Sequence, residues 1–117
     1  MKESPIFART HDLLLWLIPQ TTNHFPRSQR FVMAKRVQDS ALDFQELILE
    51  AALSNGPQRT ERLVQADTKL AGLRFHLRLC HEMGLFSSGQ YEHVARMITE
   101  IGRLLGGWRQ SKATPVA

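Results

Sequence analysis

Apolar residues recur at alternating steps of three and four along most of the chain, the spacing of an amphipathic helix. The pattern is clearest between residues 63 and 108, where it predicts two long helices joined by a tight turn. The apolar stripe of the first helix is Leu63, Ala66, Leu70, Leu73, Leu77 and Cys80. The stripe of the second is Tyr91, Val94, Ile98, Ile101, Leu105 and Trp108.

The turn between these two helices is marked from both sides. Gly84 stands where a helix commonly ends on a residue with positive φ. Ser87 and Gln90 make the capping-box pair that begins a helix. Two helices joined by so short a link are expected to pack antiparallel.

Another helix is predicted at the start of the chain. Ser4 and Pro5 suit the N-cap and the first helical position, so this helix should run from Pro5 to about residue 18 or a little beyond. Pro19 weakens its last turn, and TTNHFP at residues 21–26 is predicted to form a connector that contains Pro26.

The next helix is expected from residue 27 or 28 to about residue 54. Its apolar stripe is Ala34, Val37, Ala41, Phe44, Ile48 and Ala51, widened by Phe31, Leu42 and Leu49. Asn55, Gly56 and Pro57 end it, because the first two tolerate positive φ and proline cannot continue a helix. The remaining two helices are then predicted at residues 58–83 and 88–110.

The predicted fold is all-α: an antiparallel up-down-up-down four-helix bundle. A chain of 117 residues is long enough for one domain with its own core. Residues 111–117 show no periodicity and are expected to form a disordered tail.

Composition narrows the class of protein. Fifteen Lys and Arg against eleven Asp and Glu give a net charge of +4, which favours anionic partners such as nucleic acid. The densest apolar run, residues 13–18, is too short to cross a membrane, and no signal peptide is recognised. Cys80 has no partner for an intrachain disulfide and suits a reducing compartment. We therefore expect a cytoplasmic protein with no membrane partner.

No pattern indicates catalysis. The sequence has no glycine-rich phosphate loop, no H-E-x-x-H and no paired-cysteine metal spacing. His76 and His81 lie about 140° apart around a helix, so they do not share a metal easily. We expect no enzyme activity, no catalytic residues, no cofactor and no metal.

The basic residues form small groups that are candidates for binding nucleic acid or a partner protein. The candidates are Arg27, Arg30, Lys35, Arg36, Arg74, Arg78, Arg96 and Arg103. Contacts of Lys and Arg with phosphates do not depend on sequence and weaken as salt rises. Any one group could instead be an ordinary solvated face. No aromatic platform alternates with the arginines, so base stacking is not indicated.

The apolar surface exceeds what one stripe per helix needs. Residues 13–18 are apolar on every side, and Phe75 and Leu79 lie outside the stripe of their helix. Gly102 and Gly106 lower the stability of a helix relative to alanine, and close packing of another element against them would compensate for this cost. We expect an oligomer interface formed by Leu13, Trp16, Leu17, Phe75, Leu79, Gly102 and Gly106.

Three motifs carry a resemblance to a known family. They are FPRSQRF at residues 25–31, G-L-x-S-x-x-Q-Y-E at residues 84–92 and I-G-R-x-L-G-G-W at residues 101–108. With the pattern over residues 13–108, they resemble the accessory variability determinant (Avd) family of diversity-generating retroelements. That family is related to the four-helix bundle proteins of 23S rRNA intervening sequences.

The resemblance implies a function that the residues alone do not. It implies a barrel-shaped homopentamer that binds the reverse transcriptase of the retroelement, and RNA or cDNA. The accessory subunit would support error-prone cDNA synthesis from a template RNA, while the polymerase chemistry belongs to its partner. The alternative is a structural bundle of the intervening-sequence type with no retroelement role.

Overall fold

The computed structural model describes residues 4–111, and within this range all the regular elements are helices. The four α-helices are α1 (Pro5–His24), α2 (Lys35–Ala52), α3 (Gly56–Glu82) and α4 (Ser88–Gln110). A 3₁₀ turn at Arg27–Gln29 and a π-helix at Arg30–Ala34 lead into α2. Apart from Ser111, the predicted tail lies outside the described residues.

The helices form a closed ring in which each packs against its neighbours in sequence and α4 packs against α1. Ion pairs between α2 and α3 join Asp43 to Lys69 and Glu50 to Arg62, so position numbers rise along one helix as they fall along the other. Contacts between the aromatic side chains of Phe7 and Trp108, and of Trp16 and His93, show that α1 and α4 are antiparallel as well. The predicted up-down-up-down bundle is confirmed.

The core is formed by the predicted apolar stripes. Every stripe position of α2 and α3 is buried, and α4 contributes four more buried residues, Val94, Ile98, Ile101 and Leu105. Tyr91 and Trp108, at the two ends of the α4 stripe, are half-buried. The bundle measures 44 × 22 × 22 Å, so its long axis is set by the length of its helices.

The turn between α3 and α4 has the predicted chemistry. Gly84 has a φ of 78°, its N–H donates to the carbonyl of His81, and the N–H of Leu85 donates to the carbonyl of Cys80. This pair of hydrogen bonds is the Schellman motif, which satisfies the last carbonyls of α3. At the start of α4, Ser87 and Gln90 complete the capping box in both directions.

The first prediction to be corrected is the end of α1, which continues through Pro19 to His24. Pro19 lies on the exposed side of the helix, where water can replace the hydrogen bond that proline removes. The hydroxyl of Thr21 donates to the carbonyl of Leu17 at 2.8 Å, and Gln38 of α2 donates to Thr21 at 2.8 Å and Thr22 at 2.9 Å. This contact between helices holds the turn that proline weakens.

The second correction concerns the residues expected to widen the α2 stripe. Phe31, Leu42 and Leu49 are all exposed. Leu42 and Leu49 lie too far round α2 to reach the core, and Phe31 lies in the π-helix rather than in an α-helical turn. A smaller difference occurs at α3, which begins at Gly56 rather than Gln58. Pro57 therefore lies in its first turn, where the missing N–H costs nothing.

Candidate nucleic-acid and partner interface

The eight candidate basic residues are all exposed and fall on two parts of the surface. Arg74 and Arg78 lie on α3, and Arg96 and Arg103 lie on α4, which packs against α3. The other four precede or begin α2 and are Arg27, Arg30, Lys35 and Arg36. The structure therefore divides the predicted set into an α3–α4 group and an α2-start group.

Ion pairing separates these candidates further. Lys35 binds Asp39, and Arg78 lies 3.9 Å from Glu82, both on their own helices. The other six make no ion pair with any residue between 4 and 111: Arg27, Arg30, Arg36, Arg74, Arg96 and Arg103. Elsewhere Arg62, Lys69 and Arg109 each bind a carboxylate on a neighbouring helix. An arginine without a carboxylate partner is available to an external anion.

Arg74 is positioned by the glycine opposite it. A Cβ atom at Gly102 would lie 3.1 Å from Nη2 of Arg74 and 3.6 Å from Cδ2 of Leu70. Glycine at this position therefore lets the guanidinium of Arg74 lie close against α4. The close packing expected at Gly102 is present, but it involves a side chain of the same protomer. Gly106 has no atom within 4 Å of the corresponding position among the described residues, outside its own helix backbone.

The outer face of α4 is electrically mixed. Arg96 and Arg103 line a shallow concavity of about 470 Å³ together with Tyr91. Glu92 and Glu100 line the same concavity, so carboxylates partly cancel the field of the two arginines. The outer face of α4 therefore attracts an anion less strongly than its two unpaired arginines alone would.

The α2-start group has a different setting. Phe31 is 79% exposed and lies immediately after Arg30, and Val32 beside it is also exposed. A concavity of about 300 Å³ is lined by both of these residues and by Lys35 and Arg36. Phe75 is likewise exposed next to Arg74. The sequence analysis saw no aromatic platform among the arginines because it assigned Phe31 to the apolar stripe of α2, and that assignment is wrong.

The residues proposed for an oligomer interface also divide. Leu13 and Leu17 have 0% exposure and lie in the core of the protomer, so they offer no surface to a second subunit. Trp16 is half-buried and its ring lies 6.0 Å from that of Phe86. Leu15 is the exposed leucine of this segment, although no sequence pattern distinguishes it from its neighbours. Residues 13–18 are apolar on most sides because α2 and α4 of the same protomer both pack against α1.

Phe75 and Leu79 are exposed as expected, and Met83 continues their line along α3. The three side chains are four residues apart, so they lie on one side of the helix. Met83, which is the C-cap of α3, was not among the residues predicted for the interface. Phe75 and Leu79 remain available from the predicted interface, and with Met83 they form an apolar strip.

The titratable residues of the described region do not converge. No group of three or more His, Cys, Asp or Glu side chains between residues 4 and 111 is placed to hold a metal ion.

Burial raises the pKa of Cys80 from 9.0 to about 11, so its thiol is a poor nucleophile at neutral pH. His81 stacks on Tyr91 with ring centroids 4.6 Å apart, and its Nδ1 atom lies 3.3 Å from the carbonyl oxygen of Phe86. No described helix is long and apolar enough to cross a membrane.

The sequence model of the bAvd-like family matches residues 6–112 of the chain. The chain belongs to the bAvd-like family. The resemblance carried by the three motifs is therefore confirmed, and the match covers the whole bundle. This bAvd-like family is an accessory, non-catalytic one.

The bundle is also similar to a solved structure. That crystal structure is of a protein of unknown function from the S23 ribosomal protein family of Bacteroides thetaiotaomicron. The two share 20% identity with a TM-score of 0.84, covering 95% of this bAvd-like chain and 100% of the other. At this identity the similarity establishes the fold alone. Among curated proteins the chain has no match.

Proposed function

We propose that the protein is a non-catalytic accessory subunit of a diversity-generating retroelement. In this proposal it binds the reverse transcriptase and nucleic acid in the cytoplasm and supports error-prone cDNA synthesis from template RNA. The observation that carries the proposal is the bAvd-like family match across residues 6–112. A protein of this type contributes binding surfaces, while the bonds are made by its partner.

The charge distribution supports a role in binding nucleic acid. Six exposed arginines have no carboxylate partner within the described part of the chain, although other arginines of the same bundle do. Arginine without a partner is ready to bind phosphate, because no existing ion pair has to be broken first. Arg74 is the clearest candidate of the α3–α4 group, since Gly102 leaves room for its guanidinium.

We further propose that the protein acts as a homo-oligomer, and specifically as a pentamer. The family resemblance supplies the number, and the exposed strip of Phe75, Leu79 and Met83 supplies an apolar surface for contact between subunits. Symmetry would repeat the protomer charge of +4 around the assembly. A repeated positive surface raises the local concentration of an anionic partner and speeds association.

The second candidate function is a structural bundle of the ribosomal intervening-sequence type with no retroelement role. The fold similarity to the S23-family protein favours it, although that similarity establishes the fold alone. Genomic context discriminates between the two candidates. A neighbouring reverse-transcriptase gene with template and variable repeats supports the retroelement role, and its absence supports the alternative.

The decisive experiment is co-purification of the protein with the reverse transcriptase encoded beside it. A stable complex that makes cDNA only when both proteins are present is expected. Failure of the two to associate under low salt, with both folded, would refute the accessory role.

A second experiment addresses the arginines. Arg74→Gln is expected to weaken binding of structured RNA. It should also reduce the slope of the logarithm of the binding constant against the logarithm of salt concentration by about one, the value for one lost phosphate contact. The matched control is Arg9→Gln, because Arg9 is an exposed arginine that already has a partner, Asp12 at 3.4 Å. Equal binding by the two variants would remove Arg74 from the interface.

A further inference from the structure

The two phenylalanines that flank the FPRSQRF segment have opposite environments. Phe25 is 7% exposed, and its ring packs edge-on against Phe86 with centroids 5.1 Å apart. Phe31 is 79% exposed. One aromatic ring therefore anchors the segment to the end of the bundle, and the other is held out into solvent.

The π-helix at Arg30–Ala34 explains why Phe31 is outside. In an α-helix, a residue three positions before Ala34 would lie on the same face, and Ala34 is buried. A π-turn contains an extra residue, which shifts the positions before it around the axis. Met33 and Ala34 consequently occupy the buried positions, while Phe31 and Val32 face solvent. π-turns are rare and are frequently found at functional sites.

The surroundings of Phe31 are cationic. Arg27, Arg30 and Arg36 make no ion pair with any described residue. The carboxylates that line the adjoining concavity, Asp39 and Asp43, are already bound by Lys35 and Lys69. Those pairs are close to neutral, so Arg36 gives the concavity a surplus of positive charge.

The size and the charge of this concavity suit a single anionic ligand unit. The concavity beside Phe31 measures about 300 Å³, at the lower end of the range of roughly 300–1,000 Å³ that small-molecule sites occupy. A nucleotide offers a flat apolar base for the ring and a phosphate for an arginine. Exposed aromatic rings and arginines together are the usual elements of a site for single-stranded nucleic acid, so this arrangement favours a single strand as the ligand.

We propose that Phe31 stacks on an unpaired base of a single-stranded nucleic acid, and that Arg30 and Arg36 bind the adjacent phosphates. This rests on the proposed function, since it specifies which form of nucleic acid the accessory subunit binds. The second exposed phenylalanine, Phe75, has a different setting, because Leu79 and Met83 extend it into an apolar strip. Such a strip suits contact with protein, whereas the charges around Phe31 are complementary to a polyanion.

The test uses the full chain with Phe31→Leu and Phe31→Tyr, and with the control Leu53→Ala, because the side chain of Leu53 is as exposed as that of Phe31, at 79%. Leucine keeps the apolar character of position 31 and removes the aromatic ring, and tyrosine restores a ring there. The probes are unstructured oligouridylate and oligothymidylate carrying a central 2-aminopurine, whose fluorescence is quenched by stacking, and a duplex of the same length.

Phe31→Leu is expected to bind both single strands about ten-fold more weakly, with quenching lost, while duplex binding is unchanged. Phe31→Tyr should restore affinity and quenching, and Leu53→Ala should match the parent protein. A preference for the uridylate strand assigns the site to RNA, and a preference for thymidylate assigns it to cDNA.

Three results would overturn the proposal. Unchanged single-strand affinity and quenching in Phe31→Leu would remove the stacking role while leaving the proposed function intact. A change of oligomer mass in Phe31→Leu would make Phe31 a contact between copies of the chain. No binding of any nucleic acid by the parent protein, alone or with the reverse transcriptase, would refute the nucleic-acid part of the proposed function itself.

Discussion

The guanidinium of Arg74 on α3 lies against Gly102 on α4, close to the position that the Cβ atom of any other residue would occupy. A Cβ at Gly102 would approach Nη2 of Arg74 to 3.1 Å, which is tighter than ordinary van der Waals contact. Gly106, one turn further along α4, meets no such obstacle within the described residues. The two glycines are therefore a matched pair for separating helix propensity from the placement of Arg74.

Gly102→Ala and Gly106→Ala should both stabilise α4, each by up to about 1 kcal/mol, because glycine weakens a helix relative to alanine. Only Gly102→Ala should displace Arg74, which can move because the contact involves the far end of a flexible side chain. Thermal unfolding measures the first effect, and titration with structured RNA measures the second. We expect weaker RNA binding by Gly102→Ala and unchanged binding by Gly106→Ala.

Equal RNA binding by the two glycine variants would contradict this account of Arg74. A loss of oligomer mass in Gly106→Ala alone would show that a second subunit packs on Gly106, as the sequence analysis expected.

The features that the sequence predicted correctly depend on short-range chemistry. Gly84 is needed for a positive φ, and Ser87 and Gln90 satisfy each other's backbone groups, so these three residues specify their turn without help from the rest of the fold. The apolar stripes are equally local, because an α-helix has a fixed period. For these reasons the fold could be predicted almost completely from sequence.

The candidate site could not be predicted in the same way. Phe31 reaches solvent because of a π-turn, and no residue pattern in this segment marks one. Whether an arginine is free or paired also depends on contacts between helices, as in the pair of Asp67 and Arg109 with an Arg109 Nη1–Asp67 Oδ2 distance of 3.0 Å. The sequence identified the basic residues, but the fold determines which of them are available.

The last turn of α1 gives a prediction about one contact between helices. Nε2 of Gln38 lies 2.8 Å from Oγ1 of Thr21 and 2.9 Å from Oγ1 of Thr22. Gln38→Leu should cost about 1 kcal/mol, the net value of a hydrogen bond of this kind. Amide hydrogen exchange should accelerate at the end of α1, beyond Pro19, while exchange in α3 stays the same.

Gln45→Leu is the control for this prediction, because Gln45 also lies on α2, next to α1, and makes no hydrogen bond among the described residues. If both variants accelerated exchange equally, the turn would owe its stability to packing rather than to the side chain of Gln38.

The buried thiol predicts a pH dependence of stability. Burial raises the pKa of Cys80 from 9.0 to about 11, so the folded protein keeps a proton that the unfolded chain loses above pH 9. The unfolding free energy should therefore fall as pH rises between 9 and 11, by at most roughly 3 kcal/mol. Below pH 9 the thiol is protonated in both the folded and the unfolded protein, so this loss of stability is absent. Denaturant titrations of the parent protein and of Cys80→Ala measure the two slopes.

The comparison with Cys80→Ala is required to separate the contribution of the thiol from all other effects of alkaline pH on stability. The variant should lose the part of the slope that belongs to the thiol. Identical slopes in the two proteins would show that the thiol is not protected by folding.

The final prediction identifies the apolar surface that subunits share. The two segments proposed for the interface both keep an exposed apolar side chain: Leu15 on α1, at 62%, and Phe75 on α3, at 69%. Leu15 stands alone in its segment, whereas Phe75 is continued by Leu79 and Met83 at steps of four, so of these two segments only the one on α3 presents a continuous strip. Because hydrophobic stabilisation grows with the apolar area removed from water, the α3 strip should contribute more to association.

Phe75→Asp should therefore dissociate the oligomer, because association would bury a carboxylate that has no partner. Leu15→Asp makes the same chemical change at the isolated position and should leave the assembly intact. Light scattering at micromolar concentration gives the mass, and circular dichroism verifies that both variants keep their helices. Dissociation by Leu15→Asp alone would move the interface to α1, and a monomeric parent protein would rule out the assembly altogether.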